Sequence, residues 1–339
     1  MTEARYYTTH SDHVECHLCP HDCHLKEGKT GICRVRKNVG GKLISENYSR
    51  VCALHSDPIE KKPLYHYFPG RKILSVGGIG CNLHCRFCQN WEISQSGIAD
   101  FPSLKSTDPD DVVRIAGQQA ENLGIAYTYN EPAVWIEYML DIAEKAREKR
   151  LKNVMVTNGF INPGPLHDLI RYMDAFSVDL KAFTESFYKE LTASRLAPVL
   201  DTLKTISKSG RHLEITNLLI PNRNDDPDDF KRMTEWIAGE LGPATVLHIS
   251  RYFPTYKTNE PPTSEKKLLE FFHLARRRLN YVYLGNLRTA AGQNTYCPSC
   301  NTTVITRSGY ATEVSGLDHS GHCLNCGMEV IPQHNMHFS

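Results

Sequence analysis

The chain has 339 residues, with 39 Lys and Arg against 38 Asp and Glu and a formal net charge of +1. At 40% hydrophobic and 23% charged it has the composition of a folded globular protein, and its near-zero charge argues against a broad nucleic-acid or anionic-membrane surface. No stretch approaches the roughly 18 apolar residues of a spanning helix. The start, MTEARYYTTHSDHVECHLCP, lacks the apolar core and cleavage site of a secretory signal, so a cytoplasmic protein is expected.

Twelve cysteines divide the chain. Residues 1–70 carry Cys16, Cys19, Cys23 and Cys33, with five of the sixteen histidines before residue 25 and little sustained apolar periodicity. Such a segment is expected to bury little apolar surface and to depend on a metal. Zinc and an iron–sulfur cluster are both chemically allowed for four thiols at this spacing. Cys52, alone, reads as a buried thiol.

From residue 71 to 286 apolar runs alternate with amphipathic stretches. RKILSVGG, GIAYTY, NVMVTN, DAFSVDL, HLEITNLLI, TVLHIS and NYVYLG read as strands. Helices are expected from Asp108-Pro109 to about Asn122, from Pro132 through Arg150, and over roughly 195–209, 227–240 and 264–278. Strand, helix, strand with short connections means parallel strands and right-handed crossovers. The fold class is therefore α/β, a complete or partial (β/α) barrel, with no G-x-G-x-x-G after the first strand to favour a dinucleotide-binding sheet.

Directly after that first strand comes GGIGCNLHCRFCQNW, in which Cys81, Cys85 and Cys88 have the spacing C-x3-C-x2-C. The same spacing is one face of a helix, but the glycines and the intervening Asn, His and Arg favour a loop. Three thiolates so placed can bind three irons of a cubane [4Fe-4S] cluster and leave the fourth open. S-adenosylmethionine offers an amine and a carboxylate to such an iron, and an electron can then cleave its carbon–sulfur bond to a 5′-deoxyadenosyl radical. The loop lies at the C-terminal end of a strand, where barrels place their chemistry.

Residues 287–339 lose the alternation. Cys297-x2-Cys300 and Cys323-x2-Cys326 are two knuckles 22 residues apart, the pattern of a structural zinc ribbon, with TTVITR and GYATEV as a hairpin between them. His334 and His337, in the tail, are expected to be solvated.

The ordered series CHLCPHDCHLKEGKTGICRVR, CNLHCRFCQN, YTYNEP, VTNGF, SVDLK, IPNRND, HISRYFPTYK and YLGN resembles the radical S-adenosylmethionine (radical SAM) superfamily. Within it the chain is similar to the pyruvate formate-lyase activating enzyme branch and, more narrowly, to the radical SAM member of the AmmeMemoRadiSam system. The resemblance implies cofactor contacts from Asn130 and Glu131, where the family's glycine pair is replaced by Tyr129-Asn130. It implies others from Asp179 and from Lys181, the latter aimed at the cofactor carboxylate. Arg251 aligns nearest to a cofactor-contacting His of the family, and His248 is the other candidate there. Val156 replaces the family's Asp before Thr-Asn-Gly, so a cation site is not carried over.

The leading reading is a radical SAM enzyme abstracting hydrogen from an unidentified substrate, with a protein glycyl residue implied by the activating-enzyme resemblance. An electron donor such as flavodoxin or ferredoxin, and Memo-like and AMMECR-type proteins, are the implied partners. The competing reading is a metal-stabilised protein- or RNA-binding scaffold without radical chemistry, which leaves the strand-end motifs unexplained.

Overall fold

The computed structural model describes residues 2–287, 289 and 291–336; His337 lies outside them. Six short strands, β1 Thr2–Glu3, β2 Tyr7–Thr9, β3 Val14–Cys16, β4 Cys23–Leu25, β5 Arg36–Val39 and β6 Lys42–Ser45, form two small antiparallel sheets, β1-β6-β5 and β2-β3-β4. Contrary to the expectation of little burial, Val14, Leu18, Val35 and Leu43 are fully buried and continuous with the main core. Strands this short show no periodicity, so their apolar residues become a face only when docked on the barrel. Arg36 and Glu137 form a buried ion pair (2.9 Å) across that junction.

The central sheet has eight strands: β7 Ala53–Pro58, β8 Lys72–Gly77, β9 Asn122–Tyr127, β10 Lys152–Thr157, β11 Ala175–Asp179, β12 His212–Leu219, β13 Val246–Arg251 and β14 Val282–Gly285. They pair in chain order, parallel from β8 to β14. β7 runs antiparallel beside β8. Among the described residues no pairing joins β14 to β7, so this is a partial barrel. The stretch assigned to the first segment thus supplies the barrel with an edge strand. It also supplies a floor, because Ile59, Leu64, Tyr67 and Phe68 pack with Ile73, Ala126, Val154 and Ala175. An open barrel needs both, since an unpaired edge and an unfilled end would each leave polar backbone or apolar surface unsatisfied.

The helices are α1 Trp91–Ser94, α2 Pro109–Gln118, α3 Ile136–Glu148, α4 Pro163–Tyr172, α5 Glu185–Phe187, α6 Ala197–Lys208, α7 Pro227–Trp236 and α8 Glu265–Ala275. Asp108, Asp226 and Ser264 cap α2, α7 and α8 by accepting backbone N–H bonds. α4 has no counterpart among the expected helices; Pro163 and Pro165 fall in its first turn, where the missing donors cost nothing. None of the described helices is long and apolar enough to cross a membrane.

Strand alternation sorts the side chains. Leu74, Val76, Ile125, Met155, Phe176, Ile215 and Ile249 face the helices, whereas Glu214, Thr216, His248 and Ser250 face inward. Deep inside, Glu214 accepts from the backbone N–H groups of Tyr65 (3.0 Å) and His66 (2.7 Å) and bonds His212 (2.8 Å) and His248 (2.6 Å). Burial opposes its charge, but the two histidines hold it well below the usual carboxylate range. His248 is thus a structural partner of Glu214.

Past the barrel, β15 Thr295–Tyr296, β16 Thr303–Ser308 and β17 Ala311–Val314 form a three-stranded antiparallel sheet that includes the expected hairpin. Its core packs on Tyr65, Val246, Tyr281 and Tyr283 of the barrel. Arg307 fastens the two, donating to the Tyr65 carbonyl (2.8 Å) with its guanidinium over the Tyr65 ring.

Candidate functional site

At the C-terminal ends of the strands lies a cavity of about 1520 Å³, counting its open mouth. Cys81, Cys85 and Cys88 line it together with Glu131, Asp179 and Lys181. No other cysteine contributes to that lining among the described residues.

The cysteine loop is held from several sides. The His84 and Arg86 N–H groups donate to the carbonyls of Thr192 and Leu191, both 2.9 Å. Those carbonyls come from Tyr188–Thr192, a π-helical turn after α5, a distortion found often at functional sites. Asn82 donates to the Phe160 carbonyl (2.7 Å) and Gln95 to that of Leu83 (3.0 Å). Gly80 has φ +91°, and a Cβ there would lie 2.6 Å from the Cys33 carbonyl oxygen, so glycine is required where the loop meets the N-terminal unit. Burial pushes the Cys85 thiol up to about 12 and raises Cys81 and Cys88 as well. Thiols in that condition stay protonated until a metal replaces the proton.

Asn130 lines the cavity, but its amide is engaged. Its Oδ1 accepts from Gly78 N–H (3.1 Å) and Trp135 Nε1–H (3.3 Å), and its Nδ2 donates to the Gly80 carbonyl (2.7 Å). Its side-chain amide therefore supports the loop that carries the cysteines. Glu131 accepts from Ala133 N–H (3.0 Å), Thr157 Oγ1–H (2.8 Å) and Asn158 N–H (2.8 Å). Burial prevails over these donors and lifts its pKa to about 7. One Glu131 oxygen carries two of the bonds and the other carries one, leaving acceptor capacity for a cation. Lys181 and Asp179, at the end of β11, bond at 2.8 Å and line the same cavity. Burial disfavours the Lys181 ammonium, yet Asp179 and Cys85 outweigh it and keep its pKa above the usual lysine range.

Arg251 does not join this group. It follows Ser250 in β13, and alternation that turns Ser250 into the cavity turns Arg251 away. Its Nε donates to the Thr263 carbonyl (2.8 Å), and its guanidinium lies over Phe253. The expectation of a cofactor contact from Arg251 is corrected accordingly.

Residues that sequence reasoning passed over also line the mouth. Lys62 donates to Asp57 (2.7 Å) and lies over Tyr129, whose hydroxyl donates to the same carboxylate (2.7 Å). Tyr129 has φ +73°, a left-handed backbone rare for an aromatic residue. Its occupation of a position where the family has glycine was the available signal. Tyr310, between β16 and β17, reaches the same rim; nothing local in the sequence announces that.

The ribbon thiols are drawn together. Cys297 and Cys326 sulfurs are 3.5 Å apart, Cys300 and Cys323 3.7 Å, and all four lie within 4.8 Å of one another. A tetrahedral ion with metal–sulfur bonds of about 2.3 Å sets sulfur–sulfur edges of roughly 3.8 Å, so the quartet fits one such ion.

Residues 76–237 match the family model described as the Radical SAM superfamily. An uncharacterized protein of Methanocaldococcus jannaschii is 41% identical over 334 residues, 97% of this chain and 99% of that protein. The chain belongs to the radical SAM superfamily. It is also similar to the pyruvate formate-lyase-activating enzyme of Listeria monocytogenes, at 22% identity over 164 residues, 47% of this chain and 66% of that enzyme. Among solved structures, a radical SAM methyltransferase from Sphaerobacter thermophilus aligns with TM-score 0.49 and 16% identity, covering 64% of this chain and 67% of that one. The family implies a [4Fe-4S] cluster and S-adenosylmethionine. The donor set fits both, with three soft thiols for irons, an ammonium for a carboxylate, and a carboxylate for an ammonium.

Proposed function

We propose that Cys81, Cys85 and Cys88 hold the [4Fe-4S] cluster of this radical SAM enzyme, and that the adjoining wall binds S-adenosylmethionine. The observation that carries the reading is three thiols lining one cavity with the Lys181–Asp179 pair and Glu131. When bound, cluster and cofactor together supply a 5′-deoxyadenosyl radical for hydrogen abstraction. Lys181 meets the cofactor carboxylate, and Asp179 holds the Lys181 ammonium in place. The remaining acceptor capacity of Glu131 meets the cofactor ammonium. Asn130 and Asn158 hold the loop backbone and the strand ends that carry these groups.

The substrate assigned here is a protein glycyl residue, as in activating enzymes. That reading rests on the likeness to activating enzymes and on a cavity whose rim is open to solvent, so that a chain segment can approach the cofactor from outside. Lys61 and Tyr310 at the rim are the groups a peptide would meet. A flavodoxin- or ferredoxin-type donor supplies the electron, Memo-like and AMMECR-type proteins are the nominated partners, and the ribbon ion is assigned as zinc.

The test is anaerobic reconstitution with counts of iron, sulfide and zinc, followed by EPR of the reduced protein with and without S-adenosylmethionine. A spectrum that shifts with the cofactor, with release of 5′-deoxyadenosine, is expected. Zinc without any cofactor-responsive iron would end this reading.

A further inference from the structure

Of the three cysteine groups, the N-terminal four are the ones whose metal the spacing leaves open. The structure brings them to one place although they are separated in sequence. Cys16 and Cys23 are cross-strand partners in β3 and β4, and a Cβ on Gly31 would lie 3.7 Å from the Cys23 sulfur and 3.8 Å from that of Cys33. With Cys19 they line a single apolar cavity of about 330 Å³, counting its opening to solvent, together with Leu18, Leu25 and Val134.

That void is the informative feature. A lone zinc ion requires its four sulfurs to close to roughly 3.8 Å, as the ribbon thiols do, and leaves no room between them. Thiols spread around a cavity match a group that has volume of its own, with an iron at each corner. A second observation points the same way. Arg36 lines this cavity, is 1% exposed, and its Nε–H has no hydrogen-bond partner, although its Nη1 donates to Glu137 and its Nη2 to the Arg5 carbonyl. A buried donor without a partner is costly. The bridging sulfides of an anionic iron–sulfur cluster are acceptors, and the Arg36 charge offsets that of the four thiolates.

We propose that Cys16, Cys19, Cys23 and Cys33 hold a second, fully thiolate-ligated [4Fe-4S] cluster in place of zinc. Four protein ligands leave it no open iron for a substrate, unlike the barrel loop. Its unit touches that loop directly. His21 Nε2 is 2.8 Å from the Asn82 carbonyl oxygen, His84 Nε2 is 3.2 Å from that of Ile32, and the Cys33 carbonyl packs on Gly80. The two clusters therefore sit on adjoining segments of backbone.

The inference takes from the proposed function the placement of a first cluster on the barrel loop, and the experiment separates the two. In the full chain carrying C81A, C85A and C88A together, the N-terminal quartet is the remaining place for a cluster. Anaerobic reconstitution should then leave about four irons and four sulfides per chain beside one zinc, with a reduced EPR signal indifferent to S-adenosylmethionine. Two zincs and no iron, or no metal beyond the ribbon ion, would overturn the proposal. Should the triple variant prove insoluble, the wild-type count decides, with about eight irons and one zinc expected and about four irons and two zincs overturning it. A failure of the barrel assignment alone looks different. The triple variant would keep its four irons, and no iron in the wild-type protein would respond to S-adenosylmethionine.

Discussion

The ribbon and the barrel loop present thiols in opposite ways. In the ribbon, four sulfurs converge within 4.8 Å, and the protein completes the whole ligand sphere. In the barrel loop, the buried Cys85 and the half-buried Cys81 and Cys88 line the wall of a large cavity, and a fourth ligand would be left to whatever enters. A closed set holds structure together; an open set exposes a coordination position to chemistry. The comparison teaches that cysteine count and spacing announce a metal, while the fate of the last ligand position separates a staple from a reaction centre.

The largest expected effect lies on the open side. Cys85→Ser should abolish 5′-deoxyadenosine formation and the cofactor-responsive EPR signal while the ribbon keeps its ion. Retained turnover would remove the barrel loop from the chemistry. On the closed side, the double variant C300S/C323S should release the ribbon ion and lower Tm by at least about 5 °C, because metal binding there is folding energy. Its cofactor-responsive iron should be unchanged; loss of that iron as well would show that the two regions are not independent.

Lys181→Ala should weaken S-adenosylmethionine binding by roughly 10- to 100-fold, the range for losing a charge-assisted hydrogen bond, with iron content unchanged. Equal affinity in calorimetry would take Lys181 out of the site. Glu131 adds a pH dependence. Its folded pKa is raised from 4.5 to about 7, so its contribution to stability is fully present below about 4.5 and is lost as pH rises through about 7. The carboxylate needed by a cofactor ammonium forms over that same rise. Cofactor affinity should therefore increase several-fold between about pH 6 and 7.5 in the wild-type protein and stay flat in Glu131→Gln. Arg251→Ala should change affinity by less than about twofold, since its guanidinium serves Thr263 and Phe253.

Much of the barrel was legible because its signals are local and repeated. Seven apolar runs became β8 to β14, Asp108-Pro109 marked the start of α2, and the helices expected over roughly 227–240 and 264–278 correspond to α7 and α8. The first segment was harder. Strands of two to four residues have no period to detect, and the floor formed by Ile59, Leu64 and Phe68 exists only against the inner faces of other strands. Arg251 shows the limit of alignment by neighbourhood. In a strand, a shift of one residue reverses the face, and here it exchanges the cavity for the helix layer.

The sequence by itself determined the alternating α/β order, the three cysteine groups and the Asp-x-Lys strand end, because each is written in residues close along the chain. Only the tertiary structure decided which of these meet. The Tyr310 hairpin reaches the rim from residues far along the chain, Arg36 is carried to Glu137, and the Asn130 amide is tied to the loop backbone. Such meetings depend on packing between distant segments, where a buried donor or charge must find its partner, and no local pattern records which partner it will be.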